Sequence, residues 1–246
     1  MHQFAGAFNA MLDRLEEAFE RLSRFSADIA HELRTPLNNL RGELDVALEK
    51  RRSPDEYAEA IGSSLEECAR LGRIIDSLLF LARAEDPQTQ IDRETFDLGE
   101  EIGNIREFFE PMAHESGVTI VSEVSAPVSA SLNRPLFQRA IGNLVANALA
   151  HTPSGGAVTL RARREGEVIA MEVSDTGQGI PPDDLPHVFE RFYRADRSRT
   201  PASGGVGLGL AIVKSIAEMH RGSVEIESDV GKGTQVRLLF PQNGQR

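Results

Sequence analysis

Phe25-Ser-Ala-Asp-Ile-Ala-His31-Glu32-Leu-Arg-Thr35-Pro36-Leu37 sets a histidine beside a carboxylate on a helix that meets a proline one turn later. Apolar residues at Phe4, Phe8, Met11, Leu15, Leu22, Phe25, Ile29 and Leu33 recur every three or four positions, the stripe of one long helix packed along a partner. Pro36 removes a backbone donor and clashes with the preceding turn. The helix is therefore expected to kink there before Leu37, Leu40, Leu44 and Leu48 resume the stripe. His31 falls two positions after Ile29, about 200° round the helix, and so points away from the seam toward solvent. Glu32 can hydrogen-bond one ring nitrogen and raise the nucleophilicity of the other. The Thr35 hydroxyl, one turn on, can orient a water over the same face. His31 reads as a chemical target in its own right.

The stripe lapses around Glu49-Lys-Arg-Arg52, and Ser53-Pro54-Asp55-Glu56 then offers a cap, a proline at the first helical position and a capping-box glutamate. Ile61, Leu65, Cys68, Leu71, Ile75, Leu78 and Leu79 form a second stripe, which fades at Ala84-Glu-Asp-Pro87. Cys68 reads as a core residue of that stripe. Two helices cannot bury both stripes alone, so a second copy is expected to complete a four-helix bundle.

Composition narrows the classes. The chain has 246 residues, enough for one or two domains. Its net charge of −11 argues against nucleic acid or an anionic membrane surface as a partner. One cysteine excludes an intrachain disulfide, and the composition fits an intracellular soluble protein. No apolar run approaches the roughly 20 residues that span a bilayer, so any membrane attachment is expected outside this chain.

After the polar stretch from Asp86 to Arg93 the texture becomes α/β. A helix from about Leu98 to Glu115 starts at Asp97, with Glu100 placed for a capping box, and ends before Gly117. Short strands are expected at Val118 to Val124 and Val128 to Leu132, then a helix from Asn133 to about Ala150. Val158 to Arg164 and Val168 to Ser174 read as a hairpin across Glu165-Gly166. A last helix, Val206 to Met219, precedes strands at Ser223 to Ser228 and Gln235 to Phe240. This order implies helices on one face of a mostly antiparallel sheet.

Nucleotide chemistry is concentrated here. Asn143 and Asn147 share a helix face, with His151 one turn further. Amide oxygens at that spacing can hold Mg²⁺ among phosphate oxygens. In Asp175-Thr-Gly177-Gln-Gly179-Ile180-Pro, at a strand end, a carboxylate can accept the exocyclic amine of adenine while glycines let the backbone approach the ring. Phe189-Glu-Arg-Phe192-Tyr193-Arg194 combines aromatic anchors with cations suited to a triphosphate. Gly204-Gly-Val-Gly207-Leu-Gly209-Leu precedes the last helix, where glycine amides can cradle phosphate oxygens. It is no dinucleotide fingerprint, because Asp196 to Ser203 is polar loop where a strand is needed. Gly231-Lys-Gly233-Thr234 reads as a hairpin turn with a minor role in the adenine pocket.

Each motif alone is ambiguous, but their order is not. His31-Glu32-x-x-Thr35-Pro36 resembles the phosphoacceptor box of sensor histidine kinases. The asparagine helix, Asp-x-Gly-x-Gly, the Phe-rich segment and Gly-x-Gly-x-Gly resemble that family's N, G1, F and G2 boxes. The resemblance covers about residues 23 to 241. It implies an α+β protein in which an N-terminal helical hairpin forms a dimeric four-helix bundle, followed by an α/β sandwich of the type also found in Hsp90, MutL and gyrase. The domains expected are a helical lead-in at 1–22, similar to the end of a HAMP linker, and a dimerisation and phosphotransfer domain at 23–86. A linker at 87–96, an ATP-binding domain at 97–241 and a tail at 242–246 complete the order.

Carried onto this sequence, the family's roles give His31 as acceptor with Glu32 and Thr35 beside it. Asn147, assisted by Asn143, would ligate Mg²⁺, and Asp175 would bind adenine. His151, Gly177, Gly179, Ile180, Tyr193, Arg194 and Thr234 would contact the nucleotide. Gly205, Val206, Gly207, Leu208 and Gly209 would border the phosphates. The resemblance implies ATP and Mg²⁺ as cofactors, autophosphorylation of His31, transfer to an aspartate of a response regulator, and phosphatase activity supported by Thr35. Two positions depart from the pattern. Ala150 stands where a basic residue often precedes His151, so Arg191, Arg194 or Arg197 would carry more of the phosphate charge, and Arg221-Gly222 stands where two glycines commonly follow a histidine. The alternatives are an ATPase clamp of the same nucleotide fold and an inactive dimeric scaffold. The clamp needs a glutamate general base four residues before the Mg²⁺ asparagine, where this chain has Asn143. Phe25-Ser-Ala-Asp-Ile-Ala with Leu78-Leu-Phe-Leu-Ala-Arg-Ala-Glu is similar to heavy-metal and copper sensor kinases. That similarity implies a full-length protein in the bacterial inner membrane with this region on the cytoplasmic side.

Overall fold

The structure, a computed structural model, describes residues 26–27, 29–86, 88–124, 127–195 and 206–242. The lead-in at 1–22, Phe25, Arg197, Gly205 and the last residues of the tail lie outside the described residues. The chain divides into two compact units, Met1–Leu78 and Leu79–Arg246.

In the first unit, α1 covers 29–48 and α2, Pro54–Ala84, follows the connection at 49–53. The capping box at the start of α2 is complete. Ser53 Oγ accepts from the Glu56 amide at 3.2 Å, and the Glu56 carboxylate accepts from the Ser53 amide at 2.8 Å. The Ser63 hydroxyl donates to the Glu43 carboxylate at 2.9 Å, and Arg52 donates to the Val46 carbonyl at 3.0 Å, tying the two helices into a hairpin. Pro36 does not break α1. Helical backbone continues on both sides of it and its ring is buried, so the proline removes only the bond its amide would have given to Glu32.

The second stripe is not a core of the single chain. Ile74 and Leu78 are buried, but Ile61, Leu65, Ile75 and Leu79 are exposed, and so is Cys68, which corrects its reading as a core residue. Its helical spacing is real, but it lies on the face that this chain alone leaves uncovered.

The second unit holds a five-stranded sheet in the order β2-β4-β5-β7-β6, formed by Thr119–Glu123, Ala157–Glu165, Val168–Asp175, Gly233–Pro241 and Ser223–Asp229. Only the β2–β4 pair is parallel. Glu94 to Phe96, the last residues of the expected linker, form a strand with Asp97: β1, Glu94–Asp97, pairs antiparallel with β3, Ser129–Leu132. Helix α3, Leu98–Ser116, starts at Asp97, whose carboxylate caps the Glu100 amide at 2.9 Å, and stops at Gly117 in the left-handed region. Helix α4, Arg134–His151, starts at Asn133, whose amide oxygen caps the Leu136 amide at 3.0 Å. Helix α5 starts at Gly209 and ends at Met219, three residues later than expected at its start.

The helices bury Ile102, Phe109, Phe137, Ile141, Val145, Ile212 and Ile216, while Leu160, Met171, Val173, Val236, Leu238 and Phe240 are buried on the strands. Phe137 packs edge-on to both Phe96 and Phe240, at 5.7 and 6.4 Å between ring centroids. On the opposite face, Glu123, Arg161, Glu172, Arg237 and Glu225 occupy one register row across all five strands. Neighbours in the row alternate in sign, and Arg161 reaches Glu123 at 2.7 Å and Glu172 at 2.8 Å.

His220, buried at the end of α5, joins two helices. Its Nδ1–H donates to the Ile216 carbonyl at 2.7 Å and its Nε2 accepts from the Asn133 amide at 3.0 Å, so the ring is neutral. Burial holds its pKa below the ordinary histidine value; the Ile216 hydrogen bond opposes that shift and the nearby Arg93 adds to it. Arg221 follows in the left-handed region at φ 58°. That conformation explains why glycine suits this position.

Candidate functional site

In the first unit the His31 side chain is 79% exposed, on a helical backbone that fixes where its ring projects. The Glu32 carboxylate lies 3.7 Å from Nδ1, so the pair leaves Nε2 facing away from it. At that distance the carboxylate orients the ring electrostatically, and slight closure would make a hydrogen bond. The Thr35 hydroxyl donates to the His31 carbonyl at 3.3 Å, an acceptor one turn back. Thr35 is exposed, so that weak bond can exchange for a water.

In the second unit the asparagines and the final helix meet. A Cβ built on Gly209 would lie 3.3 Å from Asn143 Oδ1 and within 3.6–3.8 Å of the Asn147 amide. The start of α5 thus lies against the asparagine face of α4, with a tight fit for any side chain at residue 209. Asn143 uses its Nδ2 to donate to the Arg139 carbonyl at 2.8 Å. Its oxygen, the atom a hard cation needs, is left on the Gly209 side. Among the described residues no side chain caps the start of α5. Its first-turn amides are the kind of donors that phosphate oxygens satisfy. Leu208 is in the core, so only its backbone can border a phosphate, while Val206 and Gly207 are half-buried beside it.

The base pocket is built on Asp175 at the end of β5. Its Oδ1 accepts from the Gly177 amide at 2.8 Å and the Thr234 amide at 3.2 Å. Burial pushes the carboxyl above its ordinary range, while those two amides and then His151 pull it back. Gly179 and Gly233 hold the walls together. Both have positive φ, 70° and 109°, and a Cβ would fall 2.0 Å from the Asp229 carbonyl at the first and 1.9 Å from the Asp175 carbonyl at the second. Asp175, Ser228, Gly233 and Thr234 line a cleft of about 540 Å³ that also reaches Leu185 and Ile226. Ser228, which receives the Ile180 amide at 2.8 Å, was not singled out by sequence. A lone serine near a strand end carries no motif.

His151, at the end of α4, is tied to the segment after β5 through Gln178. Its Nδ1 accepts from the Gln178 side-chain amide at 3.2 Å, which places the ring proton on Nε2, and its carbonyl accepts from the Gln178 backbone amide at 3.3 Å. In the Phe-rich segment, Phe192 has φ 63° and donates its amide to the Gly207 carbonyl at 2.9 Å, pinning the two flanks of the intervening residues together. The Tyr193 hydroxyl donates to Asp184 at 2.5 Å and its ring lies 5.5 Å from that of His187. Tyr193 thus braces this segment. Arg191 pairs with Glu85, and Arg194 is half-buried.

Residues 133–244 match the family model described as histidine kinase-, DNA gyrase B- and HSP90-like ATPase, and residues 21–87 match the His Kinase A (phospho-acceptor) domain. The chain belongs to the histidine kinases. Within this family it is 44% identical over 235 residues to sensor protein IrlS of Burkholderia pseudomallei, covering 96% of this chain and 50% of that protein. It is 42% identical over 244 residues to sensor protein CzcS of Cupriavidus metallidurans, covering 99% and 51%. Sensor histidine kinase CusS of Escherichia coli K12 is 38% identical over 241 residues, covering 98% and 50%. The chain spans about half the length of these curated relatives.

Among solved structures, full-length ShkA in complex with AMPPNP superposes with a TM-score of 0.68 at 26% identity, covering 87% of this chain and 45% of ShkA. Histidine kinase ThkA in complex with the response regulator TrrA gives 0.73 at 22% identity, covering 91% and 64%, a likeness of fold. The expected fold, a helical part followed by an ATP-binding α/β sheet domain, is the one these comparisons show. No helix among the described residues is long and apolar enough to cross a membrane.

Proposed function

We propose that this chain autophosphorylates His31 from ATP and passes the phosphoryl group to an aspartate of a response regulator. The observation that carries this reading is the His31 pair itself: an exposed ring in a phosphoacceptor helix, with a carboxylate on the Nδ1 side and Nε2 open. The Nε2 lone pair attacks the γ-phosphorus in line, the bond to the β–γ bridging oxygen breaks, and ADP leaves. Glu32 stabilises the positive charge that develops on the ring. Asp175 holds the base, the α5 amides and His151 border the phosphates, and Asn147 with Asn143 would hold Mg²⁺. That ion supplies charge neutralisation among the phosphate oxygens when bound. The donor set fits it: Asn143 presents an oxygen because its nitrogen is engaged with Arg139.

A water-activating ATPase clamp is disfavoured on the same residue, since an amide whose nitrogen donates to a carbonyl cannot take a proton from water. Exposed Leu37, Leu44, Ile61, Leu65, Ile75 and Leu79 supply the apolar surface for a homodimer in which residues 23–86 form a four-helix bundle. Thr35, able to exchange its weak bond for a water, would serve dephosphorylation of the regulator's aspartate. We place the parent protein among the heavy-metal sensor kinases of the inner membrane, with this region in the cytoplasm, on its 38–44% identity to the relatives above.

The deciding experiment incubates the chain with γ-labelled ATP. His31→Gln is expected to keep nucleotide binding and lose all acid-labile, alkali-stable label; label that persists in the variant would remove His31 from the mechanism.

A further inference from the structure

Ser228 sits where three segments of the base pocket converge, and its hydroxyl is saturated. A hydroxyl has one proton to give and two lone pairs to offer. Ser228 Oγ accepts from the Ile180 amide at 2.8 Å, approaches the Gly233 carbonyl at 2.9 Å, and lies 2.9 Å from the Thr234 hydroxyl. The amide can only donate and the carbonyl can only accept. The single Ser228 proton therefore goes to Gly233, and the Thr234 hydroxyl must be the donor in the Ser228–Thr234 bond. Thr234 Oγ1, with its own proton engaged, is left as a pure acceptor. Its backbone amide meanwhile donates to Asp175 Oδ1, which places this acceptor on the same short segment that fixes the carboxylate. The pocket then offers two acceptors, the Asp175 carboxylate and Thr234 Oγ1, and Ser228 and Thr234 have no hydroxyl proton left to give on that side.

Resting on the reading of this site as an ATP pocket, we propose that Ser228 is a specificity-determining residue: by consuming the Thr234 proton it commits the pocket to purines with a 6-amino group and against those with a 6-oxo group. An exocyclic amine donates to both acceptors. A 6-oxo group brings lone pairs against lone pairs, a mismatch that a hydrogen-bonding site rejects strongly. Without the Ser228 hydroxyl, Thr234 can rotate and donate to a carbonyl. Ser228 therefore acts through Thr234 as a positioning residue and need not touch the base.

The test measures ADP and IDP affinities by calorimetry for the wild-type chain, Ser228→Ala and Ser228→Thr. The ADP preference over IDP is expected to fall about tenfold in Ser228→Ala, the scale of one satisfied hydrogen bond, mostly through tighter relative binding of IDP. It should be kept in Ser228→Thr, which retains the hydroxyl. A purely structural loss weakens both nucleotides alike, so an unchanged ADP-to-IDP ratio in Ser228→Ala overturns the inference. A wild-type chain that binds ADP and IDP equally overturns the underlying assignment of Asp175 to the base and the inference with it.

Discussion

Replacing His220 with leucine removes a titratable link between α4 and α5 and leaves both of its hydrogen-bond partners unpaired by it. In the folded protein the ring is 1% exposed, donates to Ile216 and accepts from Asn133, the residue that caps α4. Leucine fills most of the volume but leaves the half-buried Asn133 amide without its acceptor, at a cost of about 1–3 kcal/mol, and forfeits the second bond, worth about 1 kcal/mol. A net loss of about 2–3 kcal/mol is expected near neutral pH, after the added apolar burial is credited. That is a large share of the roughly 5–15 kcal/mol that stabilises a domain.

The pH dependence follows from the direction of the shift. Burial holds the His220 pKa below its unfolded value, so between the two the unfolded chain binds the extra proton. The histidine's contribution is complete above the unfolded value, near pH 6.5, and is lost as pH falls toward the folded one. Protonation of Nε2 would set a donor against the Asn133 amide, beside the Arg93 guanidinium, which itself donates to the His220 carbonyl at 3.0 Å. Urea unfolding of wild type and His220→Leu, followed by hydrogen exchange in α4 and α5 from about pH 8 down to about pH 5, reads both effects. The variant should be weaker at pH 8 and should show a shallower acid loss. Equal stability at pH 8, or an acid loss as steep as wild type's, would refute the tautomer and the link between the two helices.

Asn147→Ala should abolish Mg²⁺-dependent ADP binding while leaving the thermal midpoint close to wild type, as calorimetry with and without EDTA would show; retained metal dependence would exclude it as a ligand. Thr35→Ala should keep autophosphorylation and lose dephosphorylation of the regulator, read by decay of its phosphoaspartate; equal decay rates would exclude that role. Gly233→Ala forces a Cβ to within 1.9 Å of the Asp175 carbonyl at φ 109°. It should cost more than about 1–2 kcal/mol by chemical denaturation and should weaken nucleotide binding, because the wall carrying Thr234 must move. Wild-type affinity would show that the β6–β7 turn is not part of the pocket.

Local chemistry was legible in the sequence wherever the partner lay within a few residues. The Ser53–Glu56 box, the Asp97 cap, the stop at Gly117 and the shared face of Asn143 and Asn147 are each set by spacing along one helix. Relations across the fold were not. Strand β1 has four residues of which only Phe96 is buried, too little alternation to separate it from linker, and its partner β3 lies some thirty positions away. The bond from the Tyr193 hydroxyl to Asp184, nine residues earlier, has no motif to announce it. The part played by Ser228 depends on the Ile180 amide, 48 residues distant, and on counting one proton among three neighbours. Cys68 shows the converse, since periodicity identifies a stripe without saying which chain covers it.

The alternating row Glu123, Arg161, Glu172, Arg237, Glu225 bears on how the sheet finds its alignment. A one-residue slip of any strand turns its apolar side chains outward and is rejected by hydrophobicity alone, but a two-residue slip keeps every face as it was. Moving β7 by two against β5 would set Glu172 opposite Gln235 or Leu239 instead of Arg237. Moving β4 in the same way against β5 would leave Arg161 opposite Ser174 or Ala170. The solvent-facing charges thus act as a vernier that separates alignments the core cannot distinguish. In doing so they keep Asp175 at the end of β5 level with Thr234 near the start of β7.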